Sequence, residues 1–201
     1  MTQSLLIATN NPGKVKEIHS LLAGLGIELL TPGSLNLKLE VEENGTTYAE
    51  NASKKAAAFA LASRLVSLAD DSGLEVDVLE GRPGLRSARF SPLPGATDAD
   101  RRAFLLQSLA GRPRPWTARF RATVAIAVPG ASQIWLTESV CEGEIIPDER
   151  GSHGFGYDPI FFLPQVGHTM AELEMGTKNT LSHRALAVQK AIPMLKELLE
   201  V

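Results

Sequence analysis

The N-terminal segment alternates between short apolar runs and a stretch with helical spacing, and this alternation constrains the fold more than any other feature. Residues 4–9 (SLLIAT) are apolar and short enough for a buried strand, and residues 27–30 fit a second strand. Between them, apolar side chains recur at helical spacing over residues 15–25, behind Asn11 as the N-cap and Pro12 as the first helical residue. We therefore expect helices and strands to share one fold.

The middle of the chain continues both patterns. Residues 47–50 (TYAE) form a capping-box pattern that opens an Ala-rich helix. Residues 67–71 (SLADD) predict a strand that ends on two acids, and residues 73–79 (GLEVDVL) alternate like a separate short strand. Thr97 is expected to cap a helix that runs to about Leu109.

The second half adds a hairpin. Residues 117–128 and 132–146 flank a Pro-Gly-Ala turn and predict two long antiparallel strands. Residues 81–96 and 147–158 are expected to be loops, and a last helix is expected over about 182–199. The strand–helix alternation and the hairpin together predict a mixed α/β sheet.

Composition excludes several classes of protein. The formal net charge of −3 lacks the basic excess that nonspecific binding to nucleic acid or to an anionic membrane requires, so phosphate binding must rest on a few placed cations. Cys141 is the only cysteine, which favours a reducing compartment. No signal-like or membrane-spanning stretch is present, and we expect a cytoplasmic protein.

The pair Asp70-Asp71 is the first candidate for chemistry. Two adjacent acids at the end of an apolar strand repel each other unless a cation is close, and Mg²⁺ is typically held by one or two carboxylates with phosphates and waters. Successive strand side chains point to opposite faces, so one acid is expected to enter the site and the other to support it from behind. An Asp-Ser-Gly turn is the alternative.

Glu43 and several cations form a second group of candidates. Glu43 precedes a helix, where a favourable interaction with the helix dipole explains it as well as a metal site does. The cations are also open to the reading of solvated surface charges, although Lys14 stands at a helix N-terminus, which attracts anions. They are Lys14, Lys54, Lys55, Lys178 and Arg184.

The segment Gly154 to Pro159 (GFGYDP) is the third candidate. Its glycines allow close approach of the backbone to a ligand, and Phe155 or Tyr157 could stack on a planar ring. An ordinary tight turn before the following apolar run remains the alternative. The sequence contains no P-loop, dinucleotide-binding glycine motif, serine-hydrolase elbow or zinc-spaced His/Cys cluster.

Taken in order, six segments of this sequence resemble the non-standard purine nucleoside triphosphate pyrophosphatases, also called inosine triphosphate pyrophosphatases. The matching segments are ATNNPGK, YAENASKKA, ADDSGLEVD, PGLRSARF, GFGYDPIF and KNTLSHRA, which run from residue 8 to residue 185. Phe90 stands where the family usually has Tyr, and His153 where Gly is frequent. Neither difference removes a group that the chemistry requires.

The resemblance implies an α/β fold with a long central mixed β-sheet, flanking helices and two lobes around an active-site cleft, in a single domain over residues 1–201. It implies a homodimer and Mg²⁺-dependent hydrolysis of ITP, dITP and XTP to the monophosphate and pyrophosphate. Asp71 matches the general base and a metal ligand, beside the metal-site acids Glu43 and Asp70. The positions that match substrate-binding residues are Thr9, Asn10, Asn11, Pro12, Gly13, Lys14, Lys55, Ser72, Phe155, Gly156, Tyr157, Asp158, Lys178, His183 and Arg184.

Base selection has a physical interpretation. His183 and Arg184 offer hydrogen-bond donors, which suit the 6-oxo group of hypoxanthine and xanthine but not the 6-amino group of adenine. Such a mismatch can discriminate by about 10⁴. Guanine also carries a 6-oxo group, so its exclusion needs a separate device that the sequence does not identify.

Three other functions are compatible with parts of the sequence. A pyrophosphatase of related architecture that acts on modified pyrimidine or methylated nucleotides is the nearest. A nucleotide sensor without catalysis would bind the same ligand and tolerate Asp71→Asn. In a purely structural module, the glycines and acids would serve only as turn residues, and the ordered motifs argue against it.

Overall fold

A computed structural model describes residues 3–201; Met1 and Thr2, which open the predicted domain 1–201, lie outside the described residues. The strands are β1 (Ser4–Ile7), β2 (Glu28–Leu30), β3 (Val66–Val76), β4 (Trp116–Ala127), β5 (Ile134–Ile145), β6 (Phe161–Leu163) and β7 (His168–Thr169). The helices are α1 (Pro12–Leu22), α2 (Tyr48–Ser63), α3 (Asp98–Leu109), α4 (Met175–Leu181) and α5 (His183–Leu199).

The strands form one sheet in the order β2-β1-β3-β4-β5-β6-β7. Strand β1 pairs in parallel with β2 and β3, whereas β6 pairs antiparallel with β5 and β7. The predicted mixed sheet with flanking helices is therefore confirmed. The predicted hairpin strands are β4 and β5, which are neighbours in the sheet.

The start of α1 follows the sequence pattern. Asn11 adopts an extended backbone, and its Oδ1 accepts the Gly13 and Lys14 N–H groups at 2.9 and 3.2 Å. These bonds satisfy two of the donors that a helix N-terminus leaves without an intrahelical partner. The helix ends in a short 3₁₀ turn, and Gly26 follows with φ of 71°, in the left-handed region that glycine tolerates.

The prediction of two short strands around Asp70-Asp71 was wrong, as was the alternative of a turn there. Strand β3 runs without interruption from Val66 to Val76, through both acids and Gly73. The reason is that both carboxylates find partners inside the fold, so the chain need not turn toward solvent to place them. Sequence periodicity cannot show such partners, because they come from distant segments.

The contacts divide residues 3–201 into two units. Unit 1 comprises residues 3–71, 122–139 and 184–201. Its sheet strands have apolar side chains on both faces: Ile7 and Leu68 join a cluster with side chains of α1 and α5, whereas Leu6 and Ala69 join a cluster with Ala side chains and Phe59 of α2. Successive residues of one strand thus serve two different cores.

Unit 2 comprises residues 72–121 and 140–183. Its core gathers side chains of β3, β4, α3 and β6, including Leu74, Leu105, Phe120 and Phe161. The sequence interpretation did not predict several short elements, among them a 3₁₀ helix at Gly84–Arg89 inside the predicted loop, strand β7, and α4. Helix α4 has only seven residues, too few for a helical period to emerge.

Within residues 3–201, no helix has both the length and the apolar character needed to cross a membrane.

The cap of α3 offers a stability test. Thr97 Oγ1 accepts the Asp100 N–H at 3.2 Å, and Asp100 Oδ2 accepts the Thr97 N–H at 2.8 Å. Because Thr97→Ala removes the hydroxyl, we expect it to lower the free energy of unfolding by about 1 kcal/mol in urea denaturation. Thr97→Ser keeps the hydroxyl and should unfold close to the wild type. An unchanged midpoint for Thr97→Ala would contradict the capping role.

Candidate active site

The carboxyl end of β1 is where this topology favours a ligand. Strand β1 lies between β2 and β3, so the chain leaves it toward β2 through α1 and then crosses to β3 through α2. In open α/β sheets, ligands bind outside the carboxyl ends of the strands at such a change of direction. Ala8 N–H donates to the Leu68 carbonyl at 2.8 Å, which places the predicted phosphate turn Thr9–Lys14 beside the part of β3 that carries the acids.

Asp70 is the centre of a buried ion cluster in unit 1. Its side chain has no exposed surface, and its Oδ2 lies 3.0 Å from Lys14 Nζ and 3.1 Å from Arg184 Nε. Arg184 Nη1 also donates to Glu17 Oε2 at 2.5 Å. Helix α1, strand β3 and helix α5 each contribute charge to this cluster.

These contacts fix the charge states. Burial alone would raise the pKa of the Asp70 carboxyl, but the Lys14 and Arg184 cations outweigh it and hold that pKa well below its usual range. Burial would lower the pKa of the Arg184 guanidinium, and the Asp70 and Glu17 carboxylates raise it instead. Burial does lower the pKa of Lys14, against the attraction of Asp70.

Asp71 lies in a different setting, on the α2 side of β3. Asn51 Nδ2 donates to Asp71 Oδ2 at 3.0 Å. Lys55 Nζ donates to Glu43 Oε1 at 2.5 Å and to the Asp70 carbonyl at 2.7 Å, and it lies 3.9 Å from Asp71 Oδ1. One ammonium group therefore holds the carboxylates of Glu43 and Asp71 around it.

The environments of the two adjacent acids push their pKa values apart. Burial raises the pKa of the Asp71 carboxyl, although Lys55 and Asn51 oppose this. Asp70, in contrast, is held ionised by two cations. Of two such carboxylates, the one with the raised pKa is the better proton acceptor.

The donor set fits Mg²⁺ in part. Glu43 and Asp71 supply hard carboxylate oxygens around a common cation position, and one or two carboxylates with phosphates and waters is the usual Mg²⁺ environment in phosphate-handling sites. Asp70 Oδ2 is already engaged by two cationic side chains. Among residues 3–201, no group of three or more His, Cys, Asp or Glu side chains is arranged to hold a metal ion.

The predicted phosphate turn also borders a cavity of about 510 Å³ within unit 1. The turn is locally ordered, since Asn11 N–H donates to Thr9 Oγ1 at 3.2 Å. The cavity combines polar groups of the turn with side chains on the outer side of α1. It is lined by Thr9, Asn10, Pro12, Val15, Lys16, His19, Thr31 and Gly33.

In unit 2, the predicted aromatic loop is ordered around Asp158. Asp158 Oδ2 accepts the Phe155 N–H at 2.9 Å and the Lys178 ammonium at 2.7 Å, and Lys178 Nζ lies 5.6 Å from the centre of the Phe155 ring. Gly154 has φ of 78°, and a Cβ at this position would collide with Asp158 Oδ2. Asp158 and Lys178 are both buried, so they fix the loop rather than meet solvent.

The remaining predicted residues of unit 2 are placed as follows. Tyr157 is buried, its hydroxyl donates to the Ser87 carbonyl at 2.8 Å, and burial raises its pKa. The His183 ring stacks on Phe120 at 4.6 Å and is buried. Ser72 lies half-buried in β3. The proposed substrate contacts of these residues stay predictions.

Sequence reasoning missed two members of the site: Glu17, which accepts a hydrogen bond from Arg184, and Asn51, which donates one to Asp71. Each had a usable signal: Glu17 lies one helical turn after Lys14, and Asn51 lies one turn before Lys55. Residues three or four apart share a helix face. The positions that share a helix face with Lys14 and Lys55 were therefore the signal for these two further site residues.

A model of the Ham1 family matches residues 5–194. The chain belongs to the Ham1 family. The dITP/XTP pyrophosphatase of Desulforamulus reducens is 48% identical over 195 residues, covering 96% of each chain, and that of Synechocystis sp. is 45% identical over 189 residues, covering 94% of this chain and 93% of the relative. The resemblance read from the six motifs is thereby confirmed.

Solved structures agree with this membership. A HAM1 protein from Coxiella burnetii has a TM-score of 0.85 at 36% identity, covering 98% of this chain and all of the other. The dITP/XTP pyrophosphatase from Mycobacterium abscessus has a TM-score of 0.73 at 35% identity, covering 95% of this chain and all of the other. The fold described above is therefore that of the Ham1 family.

The buried ion cluster of this Ham1 family member predicts a large effect of one substitution. Arg184→Met leaves two buried carboxylates, Asp70 and Glu17, without their guanidinium. We expect it to lower the free energy of unfolding by about 3–5 kcal/mol in denaturant titrations at neutral pH. Arg86→Met, at an exposed arginine, is the matched control and should change little. A loss below about 1 kcal/mol, typical of an exposed pair, would contradict the prediction.

Proposed function

We propose that this Ham1 family protein hydrolyses ITP, dITP and XTP between the α- and β-phosphates, with Mg²⁺, to give the nucleoside monophosphate and pyrophosphate. The predicted enzyme class, a nucleoside triphosphate pyrophosphatase, is confirmed by relatives named dITP/XTP pyrophosphatase that match nearly the whole chain. Their names also support non-standard purine nucleoside triphosphates as the substrates. The metal requirement and the products are our proposal.

The observation that carries the proposal is the arrangement around Lys55. Its ammonium is shared by Glu43 and Asp71 and touches the carbonyl of Asp70, whose side chain in turn binds Lys14. Cations and carboxylates thus alternate beside the turn that follows β1. Such an array can bind a triphosphate together with a divalent cation.

The side chains divide the chemistry as follows. Lys14 and Lys55 attract the phosphate oxygens and neutralise the charge that develops on the pyrophosphate leaving group. Asp71 accepts the proton of the attacking water, since its carboxylate lies beside Lys55 and Glu43 in the proposed phosphate site. Glu43 and Asp71 are the proposed metal ligands, and a metal contact of Asp70 stays a prediction. Mg²⁺, when bound, would supply Lewis-acid stabilisation of phosphate charge.

Base recognition is assigned to residues of unit 2. We propose that the Phe155 ring stacks on the purine and that His183 donates to its 6-oxo group. Arg184 was predicted to share this task; its contacts to Asp70 and Glu17 support a role in holding the acids, and donation to the base stays a prediction. The homodimer and the cytoplasmic location also stay predictions.

The first test is Asp71→Asn. The amide is a much weaker base than the carboxylate and a weaker metal ligand, so we expect ITP hydrolysis to be lost. The circular dichroism spectrum and the unfolding midpoint should stay unchanged. Asp148→Asn, at an exposed acid, is the control. More than about a tenth of the wild-type rate, near 1.4 kcal/mol in barrier, would exclude Asp71 as the base.

The second test identifies the products. The wild-type protein with ITP and Mg²⁺ should give IMP and pyrophosphate, and removal of the metal with EDTA should abolish turnover until Mg²⁺ is restored. IDP and phosphate would contradict the proposed bond cleavage. Binding of ITP without turnover would favour the nucleotide sensor, and faster turnover of dUTP would favour the pyrimidine-acting alternative.

A further inference from the structure

Helix α3 holds both peptide groups at Gly156 in unit 2. Asp98 Oδ2 accepts the Gly156 N–H at 2.8 Å, and Arg102 Nη1 donates to the Gly156 carbonyl at 2.9 Å. Asp98 and Arg102 lie four residues apart, which places them on one face of the helix. Two side chains of α3 thus hydrogen-bond to the N–H and to the carbonyl group of a single loop residue.

Arg102 also ties the start of the loop segment to the same helix. Its Nε and Nη2 donate to the two carboxylate oxygens of Glu149 at 2.8 and 2.9 Å. A bidentate pair of this kind fixes the guanidinium plane as well as its position. The Arg102 side chain is only 12% exposed, but the Glu149 side chain is 46% exposed, so water partly screens this pair.

Asp98 is suited to its contact with Gly156. It stands at the first position of α3, where the helix dipole favours a negative charge. Burial would raise the pKa of its carboxyl, but hydrogen bonds from Arg101 and from Gly156 hold it below the usual value. The acceptor therefore stays ionised, and its hydrogen bond to the Gly156 N–H is charge-assisted.

Gly156 lies between the two loop residues assigned to ligand binding. Phe155 precedes it and carries the ring assigned to the purine, and Asp158 follows it and binds Lys178. Gly156 has φ of 61°, and a Cβ at this residue would meet no atom within 4 Å. The space beside Gly156 is thus open, while its backbone is hydrogen-bonded to side chains of α3.

We propose that Asp98 and Arg102 are positioning residues, which hold the loop around Gly156 in the conformation that receives the purine base. This rests on the proposed function, since it takes the Phe155 ring as the base platform. Neither side chain needs to touch the substrate. Their effect is on the fraction of molecules in which the loop is ready to bind.

The size of the effect follows from that fraction. When only a tenth of the molecules hold the competent loop, the apparent affinity falls about tenfold, and the chemical step in the bound complex is unchanged. We therefore expect Asp98→Ala to raise the KM for ITP about tenfold and to leave kcat within about twofold. Asp98→Asn keeps a side-chain acceptor and should recover most of the loss.

The kinetic comparison needs a control on the same helix. Gln107→Ala changes an exposed side chain of α3 and should keep the wild-type KM. Arg102→Ala should act in the same direction as Asp98→Ala, because it removes the second contact to Gly156. A KM for Asp98→Ala equal to that of Gln107→Ala would overturn the proposal.

Hydrogen–deuterium exchange separates this proposal from the proposed function. In the free protein, Asp98→Ala should speed exchange in a peptide covering residues 151–160, and exchange within α5 should stay unchanged. Unaltered exchange at 151–160 would contradict the positioning role of Asp98, whether or not the protein hydrolyses ITP. If exchange in the variant is faster but the wild type does not turn over ITP, the positioning role is supported and the proposed function is rejected.

Discussion

The buried carboxylate of Asp70 is the interaction on which unit 1 depends. A charge without exposed surface persists only when nearby cations compensate its lost hydration, and here Lys14 and Arg184 do so at 3.0 and 3.1 Å. These cations come from α1 and α5, which pack on the same apolar cluster. Charge balance thus fixes how two helices meet one strand, beyond what apolar packing specifies.

The neighbouring acid shows why the sheet is needed. Alternation along β3 turns Asp70 toward Lys14 and Arg184 and Asp71 toward α2, so two adjacent residues of the same type experience opposite environments. The pKa of the Asp70 carboxyl is held below its usual range, whereas burial raises the pKa of the Asp71 carboxyl. A flexible loop would not hold two adjacent carboxylates in such different surroundings.

Short-range sequence patterns predicted much of this structure. The Asn11 cap, the Thr97 cap and the alternating faces of the Asp70-Asp71 pair all follow from short-range rules, and the structure confirms them. The continuous course of β3 could not be predicted, because it depends on partners supplied by three separate helices. The loop around Gly156 shows the same limit, since α3 holds it from more than fifty residues away along the chain.

The uninterrupted strand has a consequence for changes of chain length. Side chains in a strand repeat every second residue, so a single insertion between Val66 and Asp70 would exchange the faces of the two acids. The first would then lie on the Asn51 side of the strand, and the second on the Arg184 side but one strand repeat further along. The turns over residues 91–96 can absorb an insertion. In this part of β3, a change of even one residue in length would alter which side of the strand each acid faces.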